Sequence, residues 1–540
     1  MTRLRNLSLE MHCPESIGWN RRHRVKRVLG LVATGCLAGT LQPCAGGESV
    51  EVARSLSLDS CIRRAIQHNP DLRTEQLNIL IGEEEIVSEL AAFAWNLEMT
   101  SVYEDRDKPQ NAREASSNND LQDRLFREDA WRSRVGLNKR FTSGTSLEVG
   151  MRYSRVEDDL TRNPLVSSFS PEHEFFVGVT LTQPLLRGFG RESTLAEVDL
   201  ARLRAESARL LTMLKAMNLV AEVSARYIDV VAAEENLGVK SQNIDRANLM
   251  VDRNKARVES GKGVENEVLT AELAAFQRRD DYLDTAAERV ERLNALAALI
   301  QLGPDFDGGG SFVPVSGFGG PGDLPGKRAL IDEAIQNRID LNYYAKVIDA
   351  ARINVLRAKN GAKPQLNMIG SAGLYGLDSS AGRALNGALD DQGQEFTLGL
   401  EFRMELGGQS GKSAVEVARL QLEQAEIGYG KARNAITLEV DTAYQRVLNI
   451  RQRLETAEKA RELARRNLEA EELLLEQSKG DLYRVIERQQ LYGDANANAV
   501  ATSALLGKAM IALRLATGQL FEHYEIDEEW ITSVVEASEK

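Results

Sequence analysis

Two stretches of the chain are too long and too regular in their apolar spacing for an ordinary globular domain. The first begins near Thr194 and ends near Leu302, and it reverses in Arg257-Val-Glu-Ser-Gly-Lys-Gly-Val-Glu-Asn-Glu-Val-Leu269. In its first arm Leu200, Leu203, Ser207, Leu210, Leu214, Met217, Ala221, Ser224, Ile228 and Val231 recur at alternating spacings of three and four. Such a seven-residue repeat keeps one stripe against a partner helix and winds neighbouring helices left-handedly. About 65 residues of unbroken helix at 1.5 Å each reach roughly 95 Å. A repeat of long helices also escapes the usual limit on a single globular core, so length does not fix the domain count.

The hairpin is the last part of a longer pattern. Ser57 is placed to cap a helix over 58–68, and Asn69-Pro70 restarts the chain into a second helix from Asp71 to about Phe93. The period then changes. Leu147, Val149, Met151 and Tyr153 alternate with Glu148, Gly150, Arg152 and Ser154, and Phe175, Val177, Val179 and Leu181 repeat the pattern. Strict alternation means strands with one apolar and one polar face. Thr142-Ser-Gly-Thr145 joins 135–141 to 146–155 as a hairpin, while the polar segments 105–129 and 157–172 read as exposed loops. Trp95 and Trp131 fall near expected strand starts, where each suits either a membrane interface or a core anchor.

After a Gly- and Pro-rich linker the order repeats. Ala65-Ile-Gln-His-Asn-Pro-Asp-Leu72 matches Ala334-Ile-Gln-Asn-Arg-Ile-Asp-Leu341 at an offset of 269, which also sets Leu97 on Leu366. Val177, Gly178, Val179 and Leu181 match Leu398, Gly399, Leu400 and Phe402 at 221; Tyr227 falls on Tyr444 and Lys262-Gly263 on Lys479-Gly480 at 217. Collinear registers mark an internal duplication. The step of 48 between the first two offsets lies among the strands, so the first copy carries an extra hairpin or a long loop there. The expected division is a signal peptide over 1–47, a first repeat over 48–303 (strands in 96–186, helical hairpin 194–302) and a linker over 304–327. A second repeat over 328–520 (strands in 364–406, hairpin 412–518) and an acidic tail over 521–540 complete it.

Charge narrows the partners. Arg21-Arg-His-Arg-Val-Lys-Arg27, the apolar run 28–41 and Ala45-Gly-Gly47 read as a secretory leader. Removing its +5 from the formal −13 leaves −18, which argues against a nucleic-acid partner. Cys36, after Ala33-Thr-Gly35, is an alternative processing point as a lipidated cysteine. Cleavage after Gly47 leaves Cys61 alone, so no intrachain disulfide forms. Beyond the leader no run of 18 consecutive apolar residues occurs, so a membrane span must be made of strands.

With these patterns in place, the chain resembles the TolC family of outer-membrane channel proteins. The resemblance rests on Leu58-Asp-Ser-Cys-Ile-Arg-Arg-Ala-Ile-Gln-His-Asn-Pro-Asp-Leu72, Leu181-Thr-Gln-Pro-Leu-Leu-Arg-Gly-Phe-Gly190, the tip from Gly261 to Leu269, and Leu513-Arg-Leu-Ala-Thr-Gly518. It implies a mainly α fold with a membrane β-barrel portion: tandem long antiparallel coiled-coil helices plus β-hairpins, with a trimeric barrel continued by an α-helical tunnel. Implied partners are two further copies, a periplasmic adaptor protein, through it an inner-membrane transporter, and outer-membrane lipid. The family's tip pattern, a Gly, an acidic residue six positions on and then Val-Leu, is kept as Gly261, Glu267, Val268 and Leu269. In the second copy Ser478 holds the Gly position, with Gly480 two residues later, and Arg484 replaces the acidic residue. The family's pore aperture maps onto Arg484 and Glu487, of which only Glu487 keeps the acidic type.

Other chemistries find little support. Gly188-Phe-Gly190 lacks the third glycine of a dinucleotide loop, since Ser193 stands there, and Pro184, Gly188 and Gly190 suit a turn from barrel into tunnel better. His68, His173 and His523 are scattered, and no nucleophile and base are paired, so neither a metal, a cofactor nor catalysis is expected. The reading is an outer-membrane exit duct extending into the periplasm, for drug efflux or protein secretion. Its rival is a soluble periplasmic coiled-coil scaffold or adaptor. Two strands per repeat give twelve per trimer, and the extra hairpin gives more.

Overall fold

The computed structural model describes residues 57–111, 114–115, 125–163, 165, 167–261, 263–303, 324–390, 392–477, 479–527 and 530–531. The expected leader with Cys36, linker residues 304–323, Ser478 and the tail beyond 531 lie outside them. In chain order come α1 (Leu58–His68), α2 (Pro70–Ala91), β1 (Asn96–Pro109), β2 (Leu125–Arg140), β3 (Ser146–Asp158), β4 (Glu172–Pro184), the single turn α3 (Arg191–Thr194), α4 (Ala196–Glu259) and α5 (Glu265–Leu299). Then follow α6 (Lys327–Asn337), α7 (Ile339–Gly361), β5 (Gln365–Asp378), α8 (Ala381–Leu389), β6 (Gly393–Arg403), α9 (Gln409–Glu476), α10 (Leu482–Thr517) and the short α11 (Leu520–His523).

Each half opens with a helix break, made in two ways. Ser57 caps α1 by accepting from the Ser60 N–H at 3.2 Å. The Asn69 N–H then closes α1 on the Ala65 carbonyl, its side chain accepts from the Leu72 N–H at 3.1 Å, and Pro70 takes the first turn of α2, where no amide donor is needed. Between α6 and α7 the pivot is Arg338. Its guanidinium pairs with Asp340 at 2.6 Å and Glu439 at 3.2 Å, and donates to the Leu515 and Ala516 carbonyls at the end of α10. One cation thus ties α7, α9 and the negative end of α10 together.

The long helices are α4, with 64 residues, and α9, with 68. Each is flanked by two shorter helices: α2 and α5 on α4, α7 and α10 on α9. The expected stripe accounts for only part of what α4 buries. Leu200, Met217, Ala221, Ser224, Ile228 and Val231 are buried, whereas Leu203, Ser207, Leu210 and Leu214 are half-buried. A second stripe, offset by one residue, is buried as well: Ala201, Ala205, Thr212, Ala216, Val220, Val223, Tyr227 and Val230. The reason is that α4 touches α7 and α10 besides α2 and α5, so a single coiled-coil seam is too narrow for it. Around its middle, Ile62 and Ile66 of α1, Leu296 of α5, Ile511 of α10 and Phe521 of α11 form the main core. Cys61 lies inside it, and burial pushes its thiol up to about 11, which leaves it unreactive at neutral pH.

One described helix, α10, is long and apolar enough by composition to cross a membrane. Half of that window is buried against its neighbours, including α4 and α9, as in a core helix. The count of consecutive apolar residues misses it because Thr502, Ser503, Lys508 and Arg514 interrupt the run.

All six strands form one antiparallel sheet in the order β1-β2-β3-β4-β5-β6. The extra segment of the first half is the hairpin β2–β3, between β1, which aligns with β5, and β4, which aligns with β6. The exposed loop expected over 105–129 is corrected at both ends, where β1 and β2 continue to Pro109 and from Leu125. There Arg132 bridges Glu104 and Glu128, and Arg106 pairs with Glu104 at 2.6 Å. Asp105, Asp107, Arg127 and Asp129 put charge on the other face as well, so the alternation that signals a strand disappears while the hydrogen-bond ladder goes on. Trp131 is accordingly well inside β2, not near its start.

Arg338→Met is expected to lower stability by about 2–4 kcal/mol, since Asp340 is left partly buried without its cation. Arg338→Met combined with Asp340→Leu should lose less than the single change, as read by heat unfolding in detergent followed by circular dichroism.

Candidate functional site: a two-faced sheet and paired helix tips

Register assigns every strand residue to a face, because directly paired residues share one. One row runs Leu97, Leu137, Val149, Val179, Ala372, Phe396; the next runs Met99, Val135, Met151, Val177, Leu374. This face is apolar over its middle, and aromatic residues mark its limits. At the end away from the helices Tyr103 meets Trp131 with ring centroids 6.3 Å apart, and Tyr153 meets Phe175 at 4.7 Å. At the helix-proximal end Lys139 Nζ lies 5.3 Å from the Trp95 ring and 5.5 Å from the Phe141 ring. Eight residues separate Trp131 from Lys139 on β2, about 26 Å of strand, close to the apolar band of about 25 Å in outer-membrane barrels. Ser101 and Ser133 satisfy each other at 2.8 Å within the band.

The opposite face carries Glu98, Arg134, Glu148, Arg152, Glu174 and Glu401. Arg152 stacks over the Phe176 ring at 4.3 Å, and the Tyr375 hydroxyl donates to Glu395 at 2.6 Å. A sheet with one apolar face bounded by aromatics and one charged face suits lipid on one side and water on the other.

The chain passes from sheet to helix through the residues expected to turn it. Pro184 ends β4, opposite Asn367. Gly188, at φ +83°, donates its N–H to Asn360 Oδ1 at 3.1 Å, and Gly190, at φ +94°, donates to the Ser143 carbonyl at 3.1 Å. The β2–β3 turn is thereby fastened to this junction. The counterpart between β6 and α9 uses Gly407 and Gly408, both at positive φ, which the sequence reading did not single out. The adjacent glycine pair was the available signal.

At the far ends of the hairpins the two tips differ. Gly261 turns at φ +75°, Glu267 lies in the first turn of α5 with its carboxylate 3.8 Å from the Arg257 guanidinium, Val268 is half-buried and Leu269 is exposed. Gly480 has no left-handed backbone; a β-carbon there would sit 2.7 Å from the Leu475 amide nitrogen, so close approach requires the glycine. Asp481 caps α10 by accepting from the Tyr483 N–H at 3.1 Å, a role the sequence reading missed. Arg484 and Glu487 follow at a spacing of three on α10, exposed and on one face. Also unread was a heptad stripe of exposed residues on α5: Leu269, Phe276, Leu283 and Val290.

The family model for outer membrane efflux proteins matches residues 109–301 and 330–519. The chain belongs to the outer membrane efflux protein family. Membership places it in the outer membrane of a Gram-negative cell, reaching into the periplasm, among channels and not enzymes. Its fold is similar to that of the Campylobacter jejuni CmeC outer membrane channel, at 13% identity and a TM-score of 0.63, with 89% of this chain and 90% of that one covered. The outer membrane protein VceC of Vibrio cholerae follows at 14% and 0.60, covering 85% and 96%. The open state of the Neisseria gonorrhoeae MtrE outer membrane channel shows 17% and 0.55, covering 85% and 88%. No curated protein matches the sequence.

In this efflux protein Gly190→Val should cost roughly 1–3 kcal/mol, because its φ and ψ of 94° and 157° lie in a region open to glycine alone. Gly303→Ala, where a side chain meets nothing within 4 Å, is the control expected to leave the unfolding temperature unchanged.

Proposed function

We propose that three copies of this chain assemble into a passive exit duct, the outer component of an export machine for drug efflux or type I protein secretion. Energy comes from an inner-membrane transporter reached through a periplasmic adaptor. The observation that carries this reading is the open two-faced sheet on helices that long. Backbone groups on the free edges of β1 and β6 cannot stay unpaired in lipid, and 64 residues of α4 reach about 96 Å, a span suited to bridging a periplasmic gap. The stripe on α5 supports lateral packing, since four apolar residues at heptad spacing remain exposed in a single chain.

The residues divide accordingly. A leader over 1–47 directs export, and the repeats over 48–303 and 328–520 form successive staves of the tunnel. The tips at Gly261, Glu267, Val268 and Leu269, with Ser478 and Gly480 in the second hairpin, receive the adaptor. Arg484 and Glu487 line the periplasmic aperture, where threefold symmetry sets each near its counterparts. A ring of alternating Arg and Glu closes through salt bridges between copies and discriminates less between cations and anions than a purely acidic ring.

Arg484→Ala together with Glu487→Ala is expected to raise single-channel conductance in planar bilayers severalfold; unchanged conductance removes these residues from the aperture. Fractionation tests the duct itself. Heat-modifiable oligomers in the outer membrane support it, whereas complete release by a salt wash supports the soluble scaffold.

A further inference from the structure

We infer that the outer-membrane part of this protein is an eighteen-stranded barrel, closed by pairing β6 of one copy with β1 of the next. The inference rests on the trimeric duct proposed above and fixes the calibre of its mouth.

The hairpin β2–β3 is part of the wall and not an appendage to it. Pairing of β1 with β2 runs unbroken from Asn96↔Asn138 to Pro109↔Leu125, and pairing of β3 with β4 from Ser146↔Thr182 to Val156↔Glu172. Val135, Leu137, Val149 and Met151 continue the apolar face of the flanking strands in register. The hairpin's turn is anchored at its base: the Gly190 N–H donates to the Ser143 carbonyl at 3.1 Å, and the Thr145 hydroxyl donates to Gln183 Oε1 at 2.5 Å. Removing the hairpin from the sheet would expose four rows of backbone groups to lipid, on β2, β3, β1 and β4.

The stagger of the strands matches a closed barrel. Following partners across the sheet from Asn96 leads through Asn138, Glu148, Thr180 and Ser371 to Thr397. Asn96 is the helix-proximal end of β1, but Thr397 lies six residues before the helix-proximal end of β6 at Arg403. Taking those ends as one level, six residues of stagger over five strand spacings give a tilt of about 40°, at about 3.3 Å per residue and about 4.8 Å between strands. Outer-membrane barrels tilt by roughly 35–45°.

Polarity and faces fit the seam. Six is even, so β1 leads away from the helices and β6 returns toward them, and β6 meets a neighbour's β1 antiparallel. Leu97 and Met99 on β1 and Phe396, Leu398, Leu400 and Phe402 on β6 lie on the apolar face and are 61–77% exposed. On the inner strands the same face is less exposed, as with Val149 at 38% and Val179 at 42%. The excess is what an adjoining strand covers.

One chain's six strands fall below the eight of the smallest barrels. Three copies at this tilt enclose a backbone diameter of about 36 Å, against about 24 Å for twelve strands. After side chains fill about 10 Å of that width, the bore admits two packed helices, each about 10–12 Å across. The outer mouth therefore takes cargo bulkier than an extended chain.

Electron cryo-microscopy of the full chain in lipid nanodiscs should show three copies around eighteen strands. Three copies around twelve strands would overturn the inference and leave the duct standing; two copies around twelve would overturn both. Disulfide trapping gives a second readout. Glu98→Cys with Gly136→Cys, a directly paired set, should link within one copy in the outer membrane. Thr100→Cys with Gly399→Cys, or with Glu401→Cys if the seam is shifted by two residues, should link copies into covalent trimers that reductant releases. Failure of the first pair removes the hairpin from the wall, and failure of both seam pairs removes the β6–β1 closure.

Discussion

Everything in this molecule follows from the demand that backbone N–H and C=O groups be paired where water is absent. The sheet satisfies that demand internally between its six strands and leaves it unmet on the outer edges of β1 and β6. In lipid each unpaired group costs several kcal/mol, so the edges specify assembly more strongly than any side chain does. An even strand count and a common apolar face make the two edges complementary to each other. The same chain therefore supplies both halves of its own seam, which is the condition for a closed ring of identical copies.

The helices answer a different constraint. A helix of 64 residues cannot be covered by one partner of equal length in this chain, because the shorter member of its hairpin, α5, has 35. The remaining length is covered by α2, held against α4 by the Thr212 hydroxyl donating to the Glu75 carbonyl at 3.0 Å and by Arg209 paired with Glu83 at 2.6 Å. The ends of α1, α5, α10 and α11 gather where these partners change over, at Met217 to Val231, and there the core is deepest. Lys508 of α10 and Arg292 of α5 converge on Asp229 of α4 at 2.5 and 3.4 Å, so the changeover is also where charge fixes the relative height of three helices. Arg338 does the equivalent work in the second half.

Most of the architecture was legible because duplication doubles each weak signal. Ser57, Asn69 and Pro70 announce a helix break with known chemistry, and the offset of 269 carries that break to Arg338, where no capping residue would reveal it. Strand pairing within the bilayer was readable from Leu147 to Tyr153, since lipid and water impose opposite demands on alternate residues. Beyond Tyr103 and Trp131 both faces meet water, so Asp105, Asp107, Arg127 and Asp129, which continue the apolar face, hide strands inside what looks like a loop. The second stripe of α4 was illegible for the converse reason: Ala201, Ala205, Thr212 and Ala216 are small, and small residues signal a close helix contact only once the partner helix is known. The candidate tips were found through resemblance, while their local causes, positive φ at Gly261 and steric closeness at Gly480, needed the backbone.

That last difference bears on how the two hairpins divide their work. At the first tip Glu267 is held toward Arg257 of its own hairpin, and Val264 and Leu269 are exposed beside Glu259, Glu265 and Asn266, an apolar patch with a polar rim suited to a protein partner. At the second tip Asp481 is occupied in capping α10, Glu487 lies 4.0 Å from the Arg488 guanidinium of its own helix, and Arg484 and Tyr483 are exposed. Exposed charges such as these are weakly coupled in water, but they become strongly coupled when a symmetry axis brings several together in a narrow, poorly solvated ring. In the proposed aperture, Arg484 at the equivalent of Glu267 therefore does more than alter one charge: threefold symmetry sets it near Glu487 of neighbouring copies, so attraction replaces the repulsion of a purely acidic ring.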